Sequence, residues 1–218
     1  MKYNIIVACC KNWGIGYKNG LAWSIPSDLK KFRQLTIGEG NNAVIMGRNT
    51  WLSLPVKYLK SRDNLILSTS LNITTQITEY IDNSQNDVNN QNKKSSSLVK
   101  AFKDIDTIID YCNKAKYDCV WIIGGAEIYN LFLSRSDIKI SEIHMTWIDQ
   151  DFQCDTFFPI IDNDKDKDKD NDNDKAKKTR HNNFVLASDT IHEINSHDSS
   201  ISTPVYDIYD RVYYHLSK

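Results

Sequence analysis

The chain has 218 residues, 40% of them hydrophobic and 25% charged, with a formal net charge of −1 at neutral pH. That length supports one domain with a sizeable core, and the balanced charge excludes the basic footprint of a general nucleic-acid or anionic-membrane binder. No apolar run is long enough to span a bilayer, and the five cysteines (Cys9, Cys10, Cys112, Cys119 and Cys154) lack metal-ligand or C-x-x-C spacing, so they read as reduced thiols of a cytosolic protein.

Residues 4–10 are a short apolar run that soon meets Lys11 and Asn12, so they predict a buried first strand and not a signal-peptide core. The loop that follows is punctuated by Gly14, Gly16 and Gly20 and carries Ile15, Leu21 and Trp23. Its length and glycine content suit a mobile flap over a site; a plain surface loop is the alternative. A helix is predicted over 27–36, opened by Pro26. Ile25, Leu29, Phe32 and Leu35 form its apolar stripe, and Lys30, Lys31, Arg33 and Gln34 its wet face. Asp28 is the anomaly: it stands four residues before Phe32, on the apolar stripe, where a carboxylate is costly to bury unpaired. It is therefore a candidate ligand anchor or proton-handling group, with a simple helix-start charge as the alternative.

A strand over 43–46 runs into Gly47-Arg48-Asn49-Thr50 and a short helix over 49–53. A second strand-to-helix turn, Gly124-Gly125, joins a continuously apolar strand over 119–123 to a helix over 126–134. Glycine lets a backbone approach a ligand, and the free N–H groups of a helix start attract phosphate. Singly each turn is explained by steric need; jointly they suit a pyrophosphate-bearing cofactor at the sheet's carboxyl edge. Neither a P-loop nor the ordinary G-x-G-x-x-G fingerprint is present. Arg62 precedes a strand over 64–68 and could clamp a carboxylate, or lie idle on the surface. A helix is predicted over 98–116, a strand over 142–147, and a half-exposed antiparallel strand over 204–216, where Asp210 interrupts a run of Tyr206, Ile208, Val212, Tyr214 and Leu216 at one parity. The Asn/Gln/Ser-rich stretch 74–97 and the region 162–182, headed by an Asp/Lys/Asn run, cannot bury enough apolar surface to order themselves and are expected to be disordered or mobile insertions. No register of the acidic run supplies the glycine and glutamate of an EF-hand loop, so no metal site is expected.

Taken together, these pieces resemble the dihydrofolate reductase family. The matching segments are Ile6-Val7-Ala8, Gly14-Ile15-Gly16, Leu21-Ala22-Trp23, Pro26-Ser27-Asp28-Leu29-Lys30-Lys31-Phe32, Val44-Ile45-Met46-Gly47-Arg48-Asn49-Thr50-Trp51, Leu59-Lys60-Ser61-Arg62, Ile122-Ile123-Gly124-Gly125-Ala126-Glu127-Ile128-Tyr129 and Asp155-Thr156-Phe157-Phe158-Pro159. They occur in the family's order over most of the chain, with the two low-complexity stretches between them. The resemblance implies a single α/β domain over 1–218: a mostly parallel eight-stranded central sheet with flanking helices and an antiparallel C-terminal strand. It implies hydride transfer from NADPH to C6 of 7,8-dihydrofolate while N5 gains a proton, giving 5,6,7,8-tetrahydrofolate for one-carbon metabolism and thymidylate synthesis. It also implies a free-standing cytoplasmic monomer of the antifolate-target type that needs no nucleic acid or membrane.

By the same resemblance Asp28, Thr146 and Trp23 form the catalytic group, with Asp28 promoting N5 protonation and Trp23 helping to hold a water. Ile6, Val7, Ala8, Leu29, Phe32, Leu54, Leu59 and Ile123 line the slot for the pterin and aminobenzoyl rings, and Arg62 takes the glutamate tail. The cofactor is expected at Ala8, Ile15, Gly16, Gly20, Leu21 and Ile123, at Gly47, Arg48, Asn49 and Thr50, at Leu67, Ser68 and Thr69, and at Gly124, Gly125, Ala126, Glu127, Ile128 and Tyr129. The family joins its two glycines by a cis peptide, so one is expected at Gly124–Gly125. Two departures stand out: Thr69 sits where relatives often carry a basic residue for the 2′-phosphate, and Ala22 where they often carry proline. A related pterin- or pyrimidine-type reductase and a non-catalytic binder of the same fold are the rival readings; Asp28 together with Arg62 argues against the first, and Asp28, Thr146 and both phosphate-suited turns argue against the second.

Overall fold

The first strand, β1 (Lys2–Cys10), is apolar at nearly every position because it is covered on both faces. Ile5, Val7 and Cys9 point into one buried cluster, whereas Ile6 points into another with Val44, Met46 and Trp121. The computed structural model describes residues 1–80, 94–161, 180–181, 184–192 and 207–215. After β1 come β2 (Gly14–Gly16), α1 (Pro26–Ile37), β3 (Asn42–Gly47), α2 (Arg48–Ser53), β4 (Asp63–Leu67), β5 (Thr74–Tyr80), β6 (Lys94–Phe102) and α3 (Ile105–Ala115). They are followed by β7 (Cys119–Gly124), α4 (Ala126–Leu133), β8 (Ile140–Ile148), β9 (Thr156–Phe157), β10 (Ile160–Ile161), β11 (Arg180–His181), β12 (Phe184–His192) and β13 (Ile208–His215).

Nine strands form the main sheet in the order β12-β13-β8-β1-β7-β3-β4-β6-β5. The six inner strands from β8 to β6 run parallel, while β12, β13 and β5 pair antiparallel at the two margins. The chain is thus the expected α/β sheet with antiparallel C-terminal strands, carrying one strand more than the eight expected. The ninth is β5, which folds back on β6 inside the stretch expected to be an unstructured insertion. Thr74-Thr75-Gln76-Ile77-Thr78 supplies the β-branched residues that favour a pleated strand over a loop. The centre of that stretch and, apart from Arg180 and His181, the expected insertion at 162–182 lie outside the described residues.

Two other expectations change. The helix anticipated over 98–116 begins only at Ile105; Leu98, Val99, Ala101 and Phe102 belong to β6, which pairs with β4. The break is made by Asp104, whose carboxylate accepts the Thr107 N–H at 2.7 Å and caps α3. Residues 184–192 were assigned no element in the sequence, yet they form β12 against β13. By contrast α1 opens at Pro26 as expected, with Ile25 at its N-cap.

One face of the sheet carries α3 and α4, whose Ile108, Cys112, Ile128 and Phe132 pack on Ile5, Val7 and Ile45. The other carries α1 and α2, whose Phe32, Leu35 and Trp51 pack less completely on Ile6, Val44 and Met46. The asymmetry leaves apolar side chains beside α1, among them Phe32, Leu54 and Leu59, only partly covered. Phe132 is fully buried in the closed face; replacing it with alanine is expected to cost about 3–5 kcal/mol in urea unfolding without altering ligand affinity of the folded fraction.

Candidate functional site

Every turn singled out in the sequence leaves the carboxyl end of a parallel strand: the glycine loop after β1, Gly47 after β3, Ser68 after β4 and Gly124-Gly125 after β7. Parallel pairing therefore gathers them along one edge, where open α/β sheets bind ligands. Asp28 reaches this edge from α1. Its Oδ1 accepts a hydrogen bond from the Thr146 hydroxyl of β8 at 2.6 Å, so the carboxylate, although in the first turn of α1, turns to the sheet. Burial pushes the Asp28 carboxyl above its ordinary range; the Thr146 hydrogen bond and Lys31 pull it back, and Asp210 pushes it further up. Trp23 is buried edge-on to Phe152 at 5.4 Å, and its indole N–H has no protein acceptor, which leaves a donor for water or ligand.

The side chains expected to wall an apolar slot gather on the α1–α2 face of the sheet. Phe32, Leu54, Leu59 and Ile123 are half-buried around Ile6 in one cluster, and Leu29 stands 54% exposed at the mouth. Val7 departs from its expected place. Strand alternation turns its side chain into the α3–α4 cluster, so only its backbone can face the slot. Ala8 pairs with Thr146 across β1 and β8 and packs near Trp23. Arg62, only 6% exposed, is no surface residue. Its guanidinium donates to the Thr36 hydroxyl and to the Arg33 carbonyl and lies 5.7 Å over the Phe32 ring, while its Nε is buried without a protein acceptor. Burial, and then the neighbouring Arg33, lower its pKa to about 10. A buried cation with a spare donor at the end of an apolar slot suits an anionic ligand group.

The phosphate-suited turns meet where β3 and β7 pair, with Met46 opposite Gly124. Gly47 and Gly125 are the N-caps of α2 and α4, and neither helix start has a side-chain cap, so their first N–H groups point out free. The Gly124–Gly125 peptide is cis, as expected. Gly124 holds φ +104°, and a Cβ there would lie 2.8 Å from the Tyr129 ring. Thr50, Arg48, Asn49 and Glu127 sit around this cradle, the last three exposed. Ile128 and Tyr129 serve it from behind: their side chains are buried, their amides bond Gly125, and the Tyr129 hydroxyl donates to the Ile6 carbonyl at 2.9 Å. That narrows the free amides of α4 to Ala126 and Glu127.

After β4, the Ser68 hydroxyl accepts the Ser70 and Leu71 amides, so it shapes the turn that presents exposed Thr69, with Leu67 half-buried before it. The glycine loop is better anchored than a free flap. Gly14 and Gly16 pair with β9, Tyr17 and Gly20 bond each other around Lys18 and Asn19 at positive φ, and Lys18 N–H binds Asp155 at 2.8 Å. Ile15 is half-buried against the core, and Leu21 stands exposed beyond the turn. The site also contains a pair that was not assigned a role from the sequence, Lys31 and Asp210, ion-paired beside Asp28. The signal was there: Asp210 was the one break in the apolar parity of the last strand. Among the described residues no cluster of side chains could hold a metal ion, and no helix is long and apolar enough to cross a membrane.

Comparison with known proteins agrees with this geometry. The family model described as dihydrofolate reductase matches residues 2–99 and 87–189. The chain is 35% identical over 166 residues to bifunctional dihydrofolate reductase-thymidylate synthase 1 of Arabidopsis thaliana, covering 73% of this chain but 29% of that protein. It is 33% identical over 169 residues to a dihydrofolate reductase of Heliothis virescens, covering 74% of this chain and 81% of the relative. A Gallus gallus dihydrofolate reductase is 34% identical over 167 residues, covering 73% and 78%. The chain thus spans less than a third of the bifunctional plant relative and most of the monofunctional ones.

Gly124 is the position where backbone and packing both exclude a side chain. Gly124→Ala is expected to cost about 1–3 kcal/mol in urea unfolding and to weaken nucleotide binding measured by calorimetry, because the Tyr129 ring behind the cradle must move.

Proposed function

The chain belongs to the dihydrofolate reductase family, and from that premise we propose that it reduces 7,8-dihydrofolate to 5,6,7,8-tetrahydrofolate with NADPH, in support of one-carbon metabolism and thymidylate synthesis. The observation that carries the reading is the pairing of two charges at opposite ends of one apolar slot: Asp28 on Thr146 at one end, and buried Arg62 at the other. Folate is a substrate of that shape, with hydrogen-bonding pterin nitrogens at one end and a carboxylate tail at the other. Ile6, Phe32, Leu54, Leu59 and Ile123 offer the apolar faces between them.

The residues along the carboxyl edge fit a dinucleotide. The uncapped starts of α2 and α4 and the Gly124-Gly125 turn form a cradle whose backbone lies too close to Tyr129 and Ile128 behind it to carry a Cβ at Gly124 or, without adjustment, at Gly47, and Gly47, Arg48, Asn49, Thr50, Ala126 and Glu127 would hold the phosphates there. Ala8, Ile15 and Gly16 would flank the nicotinamide, which supplies the hydride. Preference for NADPH over NADH would rest on Arg48 with Thr69 and Ser68. The protein's own task is positional and electrostatic. Asp28 orients the pterin through the bond pattern that Thr146 fixes, Trp23 offers its free N–H to a water, and the half-buried carboxyl holds a proton more tightly than an exposed one. The sign follows: the protonated form dominates below the raised pKa, so turnover should fall as pH rises through it. All five cysteines are free thiols, in keeping with a monomeric enzyme of the cytoplasm.

The direct test follows dihydrofolate-dependent oxidation of NADPH and NADH side by side by absorbance; no turnover with either cofactor would end the reading. In that assay Asp28→Asn should keep cofactor binding and lose about 10²–10⁴ of kcat at neutral pH, the usual range for removing a proton-handling group. Near-normal rates would remove Asp28 from the mechanism. Arg62→Leu should raise the KM for dihydrofolate about 10–100-fold with kcat little changed, since a hydrogen bond to a charged group is worth about 1.5–3 kcal/mol. A fall in kcat at constant KM would argue against a carboxylate clamp.

A further inference from the structure

Asp210 breaks the apolar face of β13, and the sheet register brings that break beside Asp28. In the antiparallel pairing of β13 with β8, Asp210 lies opposite Thr146, the hydroxyl donor to Asp28. Residues so opposed have Cβ atoms about 4.5–5.5 Å apart. Asp210 Oδ1 is in turn ion-paired with Lys31 Nζ, both side chains largely shielded at 21% and 26% exposure. Lys31 stands three residues after Asp28, hence on the same side of α1. The four residues close a square, with Asp28 and Lys31 along the helix, Thr146 and Asp210 across the strands, and a polar contact joining each corner to its partner.

We propose that Asp210 is a positioning residue for Asp28: by gripping Lys31 it docks the first turns of α1 on β13 and balances the lysine charge beside the Asp28 carboxyl. The inference rests on the reading of Asp28 as the proton-handling group. Two features of the fold require such a grip. Ile25 gives α1 no side-chain cap, so the helix start is held by what reaches it from the sheet. Beside the ion pair lies an open cavity of about 330 Å³ lined by Gln34, Leu35, His144, Ser188, Thr190 and Val212 as well as by Lys31 and Asp210 themselves, so this flank of α1 is incompletely packed and the ion pair is its charged contact with β13.

The charge balance follows from the same square. Groups facing Asp28 are Lys31 from α1, Thr146 from β8, Asp210 from β13 and the Tyr129 hydroxyl from α4. Further along β8, His144 and Glu142 are hydrogen-bonded to each other at 2.7 Å. Lys31 alone would draw the proton off Asp28, and Asp210 alone would keep it on, so the two act on it in opposite senses. Removing either one must therefore move Asp28 in opposite directions, which loss of helix docking alone would not do.

The test titrates Asp28 directly, by carbon NMR of aspartate-labelled protein with the resonance assigned from its loss in Asp28→Asn. The midpoint should move down in Asp210→Asn, up in Lys31→Met, and return near its original value in the double variant. The pH at which kcat falls should follow in the same order. Equal or same-direction shifts in the two single variants, or a double variant that keeps either shift, would overturn the proposal. Should Asp210→Asn fail to fold, Lys31→Met and Lys31→Arg decide it: an upward shift confined to the methionine variant supports the balance, and equal shifts refute it. A parent protein that titrates as expected but turns over no dihydrofolate would sink the functional reading while leaving the ion pair's effect measured.

Discussion

The hydrogen bond from Thr146 to Asp28 ties α1, on the less completely packed face, to β8 of the sheet, and much of the architecture can be read as what that bond requires. A carboxylate on the apolar side of a helix loses hydration, and one short bond from a hydroxyl restores part of it. The residue is therefore left half-buried with a raised pKa, a compromise between a fully wet acid and a sealed one. Closing the α1–α2 face as tightly as the α3–α4 face would remove the ligand's place; opening it would return Asp28 to the behaviour of any surface aspartate. The incomplete packing of α1 and α2 on Ile6, Val44 and Met46 is what keeps the carboxyl between those limits.

Parallel strands make the rest of the site possible. Because β1, β3, β4 and β7 point the same way, four separate connections reach one edge, of which only the glycine loop between β1 and α1 is long. Each connection has a residue with a particular backbone or bonding demand: Gly14 where Cys154 lies against the backbone, Gly47 under Ile128, Gly124 under Tyr129, and Ser68 bonding its own turn. Tyr129 links two of these demands, since its ring excludes a side chain at Gly124 while its hydroxyl satisfies the carbonyl of Ile6 in the slot wall. The Gly124-Gly125 turn and the apolar face around Ile6 thus share a buried hydrogen bond.

Much of this was legible in the sequence, for a physical reason. Strands buried on both faces need continuous apolar runs, so residues 43–46, 119–123 and 142–147 announced themselves, as did α1 through Pro26 and its stripe. What depended on pairing did not. Leu98, Val99, Ala101 and Phe102 fit a helical stripe as well as a strand, and only the capping role of Asp104 separates β6 from α3. Val7 was expected in the slot because the segment around it belongs there, but alternation within β1 sends its side chain the other way. Ile128 and Tyr129 likewise belong to the right turn while facing the core. Motif membership located backbone; the direction of each side chain came from the register.

Asp210 is the instructive case, because its oddity was visible and its meaning was not. An acid interrupting an apolar strand face has to be paired or wet, and the sequence offers many lysines as partners. Choosing Lys31 requires knowing that β13 runs antiparallel to β8 with Asp210 opposite Thr146, and no local pattern in either strand encodes that register. Asp28 was found by the same reasoning, an acid at an apolar position, but it had a recognisable motif around it. Both anomalies sit on the same square of contacts between α1 and the sheet. Two acids out of place on elements that pack together are better read as one electrostatic unit than as two exceptions, since Asp210 and its partner Lys31 set the field in which Asp28 holds its proton.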